Sequence, residues 1–420
     1  MCKKRGVSLK SLTLAPQNVA KAATHAVVCQ TLKFLPVIQQ LIAAVDLTGR
    51  HPQLTQATAA VLVYEVLFGE GVQSLGPAET AVLAAKAAVT KHLDRLLQAA
   101  GVVDARDLLA PASRQPESER PRHVRVNTIK MSVAEALQWL QCPPPAHRRL
   151  QSLGADVHVD DLLPDLLVFP PRTDLHAHPL VQNGSWVLQS KASCMPAHAL
   201  APESSWTVLD ACAAPGNKTT HLAALLGPGF GKVLAFDKDA RRLERLRAAA
   251  TVAGAANVIA QQADFLALDL LAPEYGNVRG VLLDPSCSGS GTAFTRMDHL
   301  LPSHGSLGAD ALDPSFTDER VEALAQFQER ALQHALVLPR LERLVYSTCS
   351  VYVRENEAVV KACLPFARQR GFSLVAPFPS WPRRGLPVLS EASCLVRTDP
   401  VLDGTDGFFV AVFERTAAST

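Results

Sequence analysis

Two cysteines stand apart from the other seven in this 420-residue chain by what surrounds them. Cys287 lies in DPSCSGSG at 284–291 and Cys349 in YSTCS at 346–350, each just past a short apolar run that reads as a strand. A lone cysteine is most often a small buried hydrophobe. Two at successive strand ends are different, because neighbouring strands run ~5 Å apart and their thiols would share one cleft. The spacing, 349 − 287 = 62 residues, fits one intervening loop and helix. The remaining cysteines, at 2, 29, 142, 194, 212, 363 and 394, form no Cys-x-x-Cys pair, and no metal-ligand set is expected. A disulfide is the rival use of the pair. The absence of an apolar signal core after MCKKRGVSLK points to a soluble protein in a reducing, intracellular compartment, which argues against it.

A second constellation precedes them. The stretch DACAAPGNKTT at 210–220 turns at Pro215 and Gly216, where backbone can approach a ligand and the next helix presents its positive end. A phosphate-binding loop is disfavoured, since Cys212 and Asn217 stand where its two glycines belong. A dinucleotide fingerprint needs three glycines, and this turn has one. Asp237 closes the next strand-like run and suits two vicinal ribose hydroxyls, with bonds of ~1.5–3 kcal/mol each. Asp264 closes the third, placed to accept from an adenine amino group. One such acid is ordinarily a helix cap. Turn and acids together point to an adenosine-bearing ligand without a pyrophosphate, such as S-adenosylmethionine. Arg242, one turn into the following helix, either closes over that ligand or is an ordinary surface charge.

Two thiols beside a methyl donor suit one chemistry. Carbon 5 of a pyrimidine is too weak a nucleophile to attack a sulfonium methyl, but a thiolate added to carbon 6 makes it enamine-like. A free thiol of pKa ~8.5 is only a few per cent thiolate at pH 7, so the site must favour the anion. Asp284 and Cys287 are candidates for the acid–base steps that follow.

These residues need strand ends to stand on. Strands are expected at 207–212, 232–236, 257–261, 280–283 and 343–346, with helices at 218–226, 240–253 and 319–338 between them. That alternation implies a parallel sheet with helices on both faces, and ligands at the strands' carboxyl ends. The stretch 407–415 reads as one more strand, antiparallel at an edge. Before this domain (201–415) comes a small α+β module at 120–200. It holds strands at 123–127, 166–169 and 186–188, and a helix at 132–140 capped by Ser132 with Glu135 three residues on. A proline-punctuated linker covers 111–122, and PPP at 143–145 and the Gly/Ser/Pro-rich 302–318 read as loops. Residues 1–110 carry apolar positions at three-to-four spacing over 19–45, 53–68 and 79–100, a helical region without chemistry.

Hydrophobic residues make up 48% of the chain and charged ones 19%, which excludes wholesale disorder. Net charge is 41 − 39 = +2, so a nucleic-acid partner would have to meet a local basic surface. Arg120, Arg122, His123 and Arg125 offer one, with a solvated charge run as the equal alternative. The longest apolar stretch, AAVLVYEVLF at 59–68, is half a membrane span and contains Glu65, so no membrane is expected.

DACAAPGNKTTHLAALL, LLDPSCSGSG and LVYSTCSV resemble the three best-marked motifs of the Nop/Sun family of RNA cytosine-5 methyltransferases, over about 120–415. PGNKT, DPSCSGSG and the helical amino-terminal region resemble its eukaryotic large-subunit ribosomal RNA branch. The resemblance implies a class I Rossmann-like α/β fold with a small α+β RNA-binding module, and S-adenosyl-L-methionine as cofactor. It implies Cys349 as the nucleophile and Cys287 as the cysteine that releases methylated RNA. Cofactor contacts implied are Cys212, Ala213, Ala214, Pro215, Gly216, Asn217, Lys218, Asp237, Arg242, Asp264 and Asp284. RNA partners would be large-subunit ribosomal RNA or a pre-ribosomal particle, in the nucleus and nucleolus. A transfer-RNA methyltransferase and a non-catalytic ribosome-assembly factor are the alternatives. Ser190 departs from the family, which usually has Asp there; it is expected to cap the next helix as Asp would.

Overall fold

The structure is a computed structural model that describes residues 9–15, 17–72, 76–109, 120–142, 156–293, 300, 318–400 and 402–416. The loop at 143–145, most of the linker and 302–317 lie outside the described residues. The chain forms two compact units.

The first holds helices α1 (Leu9–Thr13), α2 (Lys21–Ala44), α3 (Leu47–Arg50), α4 (Gln56–Leu67) and α5 (Pro77–Ala100). Thr55 caps α4 through the Thr58 N–H, and α5 opens with Pro77 and stops at left-handed Gly101. The apolar stripe of α2, including Phe34, Ile38, Leu41 and Ile42, packs with Ala59 and Val63 of α4 and Val82 and Val89 of α5. By length and composition α2, with a mean hydropathy of 1.4, is long and apolar enough to cross a membrane. The ten-residue apolar run at 59–68 is too short on its own, but that criterion does not reach α2.

The second unit begins with β1 (Arg122–Val126), α6 (Val133–Gln141), β2 (His158–Val159), β3 (Leu166–Phe169), α7 (Pro179–Gln182) and β4 (Trp186–Leu188). The strands form an antiparallel sheet in the order β2-β3-β1-β4. The Ser132–Glu135 capping box starts α6. Val124, Val126, Leu167, Phe169 and Trp186 meet Ala136 and Leu140 of that helix on one face.

There follow α8 (Lys191–Leu200), β5 (Thr207–Asp210), α9 (Asn217–Leu226), β6 (Lys232–Asp237), α10 (Ala240–Ala253), β7 (Val258–Gln262), β8 (Val278–Leu283), α11 (Glu319–Ala335), β9 (Arg343–Thr348), α12 (Glu357–Gln369), β10 (Phe372–Val375), β11 (Val396–Thr398) and β12 (Phe408–Arg415). The sheet runs β10-β12-β9-β8-β5-β6-β7, with β11 also paired to β12. Strands β5 to β9 are mutually parallel. Strand order reverses between β5 and β8, the switch point at which such sheets bind ligands. This is the Rossmann-like α/β fold.

One expectation is corrected. β12 is antiparallel, as its sequence suggested, but it is no edge strand. It lies between β9 on one side and β10 and β11 on the other, with six of its eight residues buried.

Candidate active site

At the end of β5 the chain enters the turn at 211–216. Gly216 has φ +109° and caps α9, and a Cβ there would stand 3.2 Å from the Leu246 Cα; only glycine fits. Thr219 donates its hydroxyl to Asp210 Oδ2 at 2.7 Å. Burial outweighs that bond and pushes the Asp210 carboxyl up to about 7. Asp237, buried at the end of β6, accepts the Ala214 N–H at 3.2 Å and the Asp239 N–H at 2.9 Å. Arg242 lies 3.5 Å from the same carboxylate and donates to the Ala214 carbonyl. Both residues therefore hold the turn in shape from behind. Asp264 is different: it is partly exposed, caps the Leu266 N–H and pairs with Lys238 at 2.7 Å.

A cavity of about 120 Å³ opens in front of the turn. It gathers Cys212, Ala213, Ala214, Pro215, Asn217, Lys218 and Asp284 from the expected residues, and adds Ser193 and Asp210. Asp237, Arg242 and Asp264 do not line it. A larger, open cleft of about 450 Å³ lies between α10 and β7. It contains none of the strand-end residues, and its Arg247 is already bonded to Glu244 and the Ala260 carbonyl.

Lys218, from the first turn of α9, reaches across the switch point to Asp284 Oδ2 at 2.6 Å. Ser347 donates to the other carboxylate oxygen at 2.9 Å. Burial works against the Lys218 charge, but the charge and hydrogen bond of Asp284, with the charges of Cys349 and Asp210, together more than offset it and the ammonium's pKa is raised. Its Nζ also stands 5.0 Å over the Phe408 ring.

Because β8 and β9 pair in parallel, Gly280 with Arg343 through Leu283 with Tyr346, the two cysteine loops leave the sheet side by side. The sulfurs of Cys287 and Cys349 are 3.2 Å apart, and both are thiols. Gly291 donates its N–H to the Cys349 carbonyl and accepts from the Gly407 N–H, each at 2.9 Å. A Cβ on Gly291 would lie 1.9 Å from the Gly407 oxygen, so this close backbone stack also requires glycine. The hydrogen bond with Cys349, then burial, then the charges of Cys349, Glu355 and Asp284 raise the Cys287 pKa well above the ordinary thiol range.

The family model of the 16S rRNA methyltransferases RsmB/F matches residues 197–414, which include the turn after β5, the Lys218–Asp284 pair and both cysteine loops. Models of the N-terminal and ferredoxin-like domains of NOL1/NOP2/Sun domain family member 5 match 23–109 and 120–189. The chain belongs to the RNA cytosine-C5 methyltransferase family. It is 44% identical to the 25S rRNA (cytosine-C(5))-methyltransferase NSUN5 of Arabidopsis thaliana, over 97% of this chain and 69% of that protein. It is 40% identical to a 28S rRNA (cytosine-C(5))-methyltransferase of Mus musculus, over 97% of this chain and 87% of that one. A methyltransferase homologue from Pyrococcus horikoshii shares the fold, with a TM-score of 0.55 and 24% identity over 88% of this chain and 99% of that one.

Two local readings of this methyltransferase are corrected by the structure. Arg125 and His123 are no basic surface: both are buried, on the face of β1 turned away from α6. Arg125 donates to Gln189 at 2.9 Å and to Thr220 of α9 at 3.1 Å, and burial holds the His123 ring down at about 4, mostly neutral. Arg122 is bonded to His176 at 3.0 Å. Asp165, just before β3, adds a second tie between the methyltransferase's module and its larger sheet domain. Its two oxygens meet His198 of α8 at 2.7 Å and His221 of α9 at 2.9 Å. Ser190 does occupy the N-cap of α8, but its side chain makes no cap bond; Thr405 takes the Ala192 N–H at 3.0 Å instead.

Proposed function

We propose that this methyltransferase transfers a methyl group from S-adenosylmethionine to carbon 5 of a cytosine in large-subunit ribosomal RNA. The observation that carries the chemistry is the pair of thiols 3.2 Å apart beside the Lys218–Asp284 ion pair at the switch point. The relatives named for 25S and 28S rRNA support the choice of RNA, and with it a place in the nucleolus.

The donor set fits the cofactor. A sulfonium and an ammonium are cations; Asp284 in the cavity wall is already paired with Lys218, so Asp210, ionised above pH 7, is the carboxyl group left to face them. Ala213, Ala214 and Gly216 keep the turn bare, and Asp237 with Arg242 holds it there. Asn217, Pro215, Cys212 and Lys218 complete the wall, and Asp264 stands at the next strand end. When bound, the cofactor supplies an electrophilic methyl group.

Cys349 attacks carbon 6 as the thiolate, forming a C–S bond and placing the electron pair of the double bond at carbon 5. The Lys218 ammonium is close enough to Cys349 for their charges to attract, which favours that thiolate. Cys287 keeps its proton. Once carbon 5 has taken the methyl group, loss of its proton to a base returns the electrons to the ring and expels the Cys349 sulfur. Asp284 is the candidate for that base, and Cys287, which still holds its proton, is the candidate acid in the release step.

Incubation with tritiated S-adenosylmethionine tests the substrate. Label entering large-subunit rRNA but not transfer RNA, and lost in Cys349→Ala, is the expected result. Label entering transfer RNA alone would overturn the choice of RNA. Undiminished methylation by Cys349→Ala would overturn the mechanism.

A further inference from the structure

Both thiols sit in loops, and one buried side chain spans the two. Glu355 lies in the single 3-10 turn Val353–Glu355 that precedes α12 and has no exposed surface. Its Oε1 accepts the N–H of Ser288, the residue after Cys287, at 2.9 Å. Its Oε2 accepts the hydroxyl of Ser350, the residue after Cys349, at 2.5 Å. Gln328 of α11 donates to Oε1 at 3.1 Å and to the Ser286 carbonyl at 3.0 Å, bracing the Cys287 loop from the other side.

No cation within ion-pair distance balances Glu355 among the described residues, and neighbouring Arg354 is engaged by Glu322 and Glu329. A carboxylate kept from water on hydrogen bonds alone is costly, and an apolar side chain of similar size would pack more cheaply. What the acid provides here is an acceptor for both loops at once.

We propose that Glu355 is a positioning residue whose carboxylate clamps the Cys287 and Cys349 loops together and so sets the spacing of the two thiols. This rests on the reading that these cysteines carry the reaction. Glu355 acts through the residue that follows each cysteine. The hand-over from attack by Cys349 to release aided by Cys287 needs the two sulfurs to stay within reach, and a slack clamp separates the steps. The charge of Glu355 also adds to the forces that keep the Cys287 proton in place.

The spacing can be read without RNA. In the full-length protein held with glutathione disulfide, Cys287 and Cys349 form one disulfide. Their two thiols are oxidised, and glutathione disulfide is reduced to two glutathione molecules that take up the two protons. Peptide mapping by mass spectrometry follows that one linkage over time. Glu355→Ala is expected to slow it at least tenfold and to lower methylation on the order of a hundredfold, with the KM for S-adenosylmethionine unchanged. Glu355→Gln keeps one acceptor oxygen and is expected to recover part of both rates. Cross-linking of Glu355→Ala at the wild-type rate overturns the proposal, whatever happens to methylation. If circular dichroism shows Glu355→Ala unfolded, Glu355→Gln carries the test: a severalfold slower linkage supports the clamp and an unchanged rate overturns it. The underlying reading fails separately, if Cys349→Ala still methylates RNA.

Discussion

Lys218 Nζ lies 2.6 Å from Asp284 Oδ2, while Ser347 of β9 holds the other oxygen of the same carboxylate. One acid is thus fixed by a helix and a strand from opposite sides of the switch point. Asp284→Asn keeps the shape and removes the charge that sustains the Lys218 ammonium. Single-turnover methylation should fall by about 10²–10³-fold, the range for losing one preorganised electrostatic group at a reacting centre. A loss below threefold would remove Asp284 from the chemistry.

Asp210 gives the site a pH signature. Its carboxyl is raised from the ordinary 3.8 to about 7 in the folded state, so the fold holds that proton more tightly than the unfolded chain does. Its contribution to stability is therefore full below pH ~4 and lost as pH rises through 7. Asp210→Asn has no charge to bury. Its stability advantage over the wild type should grow by up to about 1.4 kcal/mol per pH unit between pH 4 and 7 and then level off. Urea unfolding of both proteins at several pH values measures this difference. The variant should also bind S-adenosylmethionine more weakly above pH 7, where the wild type offers the cation a carboxylate. A pH-independent stability gap would contradict the burial of that charge.

Arg125 separates a structural arginine from a phosphate contact. Arg125→Ala opens a hole between β1 and α9 and leaves Gln189 without its donor, at a cost of about 2–4 kcal/mol in stability. Arg125→Met fills most of that space and should cost less. RNA binding by the folded Arg125→Met protein, titrated over a range of salt, should keep the wild-type slope. A true phosphate contact would take about 0.7 from that slope for single-stranded RNA.

The sequence placed six of the eight strands of the catalytic sheet to within about two residues, because short apolar runs such as those ending in Asp210, Asp237 and Asp284 have strong local signals, but it did not mark the short β10 and β11. It also put Cys287 and Cys349 in one cleft. What it missed is set by distant partners. β12 reads as an edge strand, yet its unbroken apolar run 408–413 is enclosed by β9, β10 and β11. HVRVN reads as a half-exposed strand, but β1 is covered on both faces, so Arg125 points into protein. The cap on α8 comes from Thr405, 213 residues away from Ala192. Glu355 had only a faint local mark, an acid opening the ENE run six residues after Cys349, and its partners in two loops and α11 are visible only once the chain is folded.

The central claim is that Cys349 attacks and Cys287 releases. The measurement that meets it most directly is a denaturing gel of Cys287→Ala incubated with S-adenosylmethionine and large-subunit ribosomal RNA. The expected result is a slow-migrating protein–RNA adduct that is absent when Cys349 is also replaced by alanine. An adduct that persists in the double variant would contradict it.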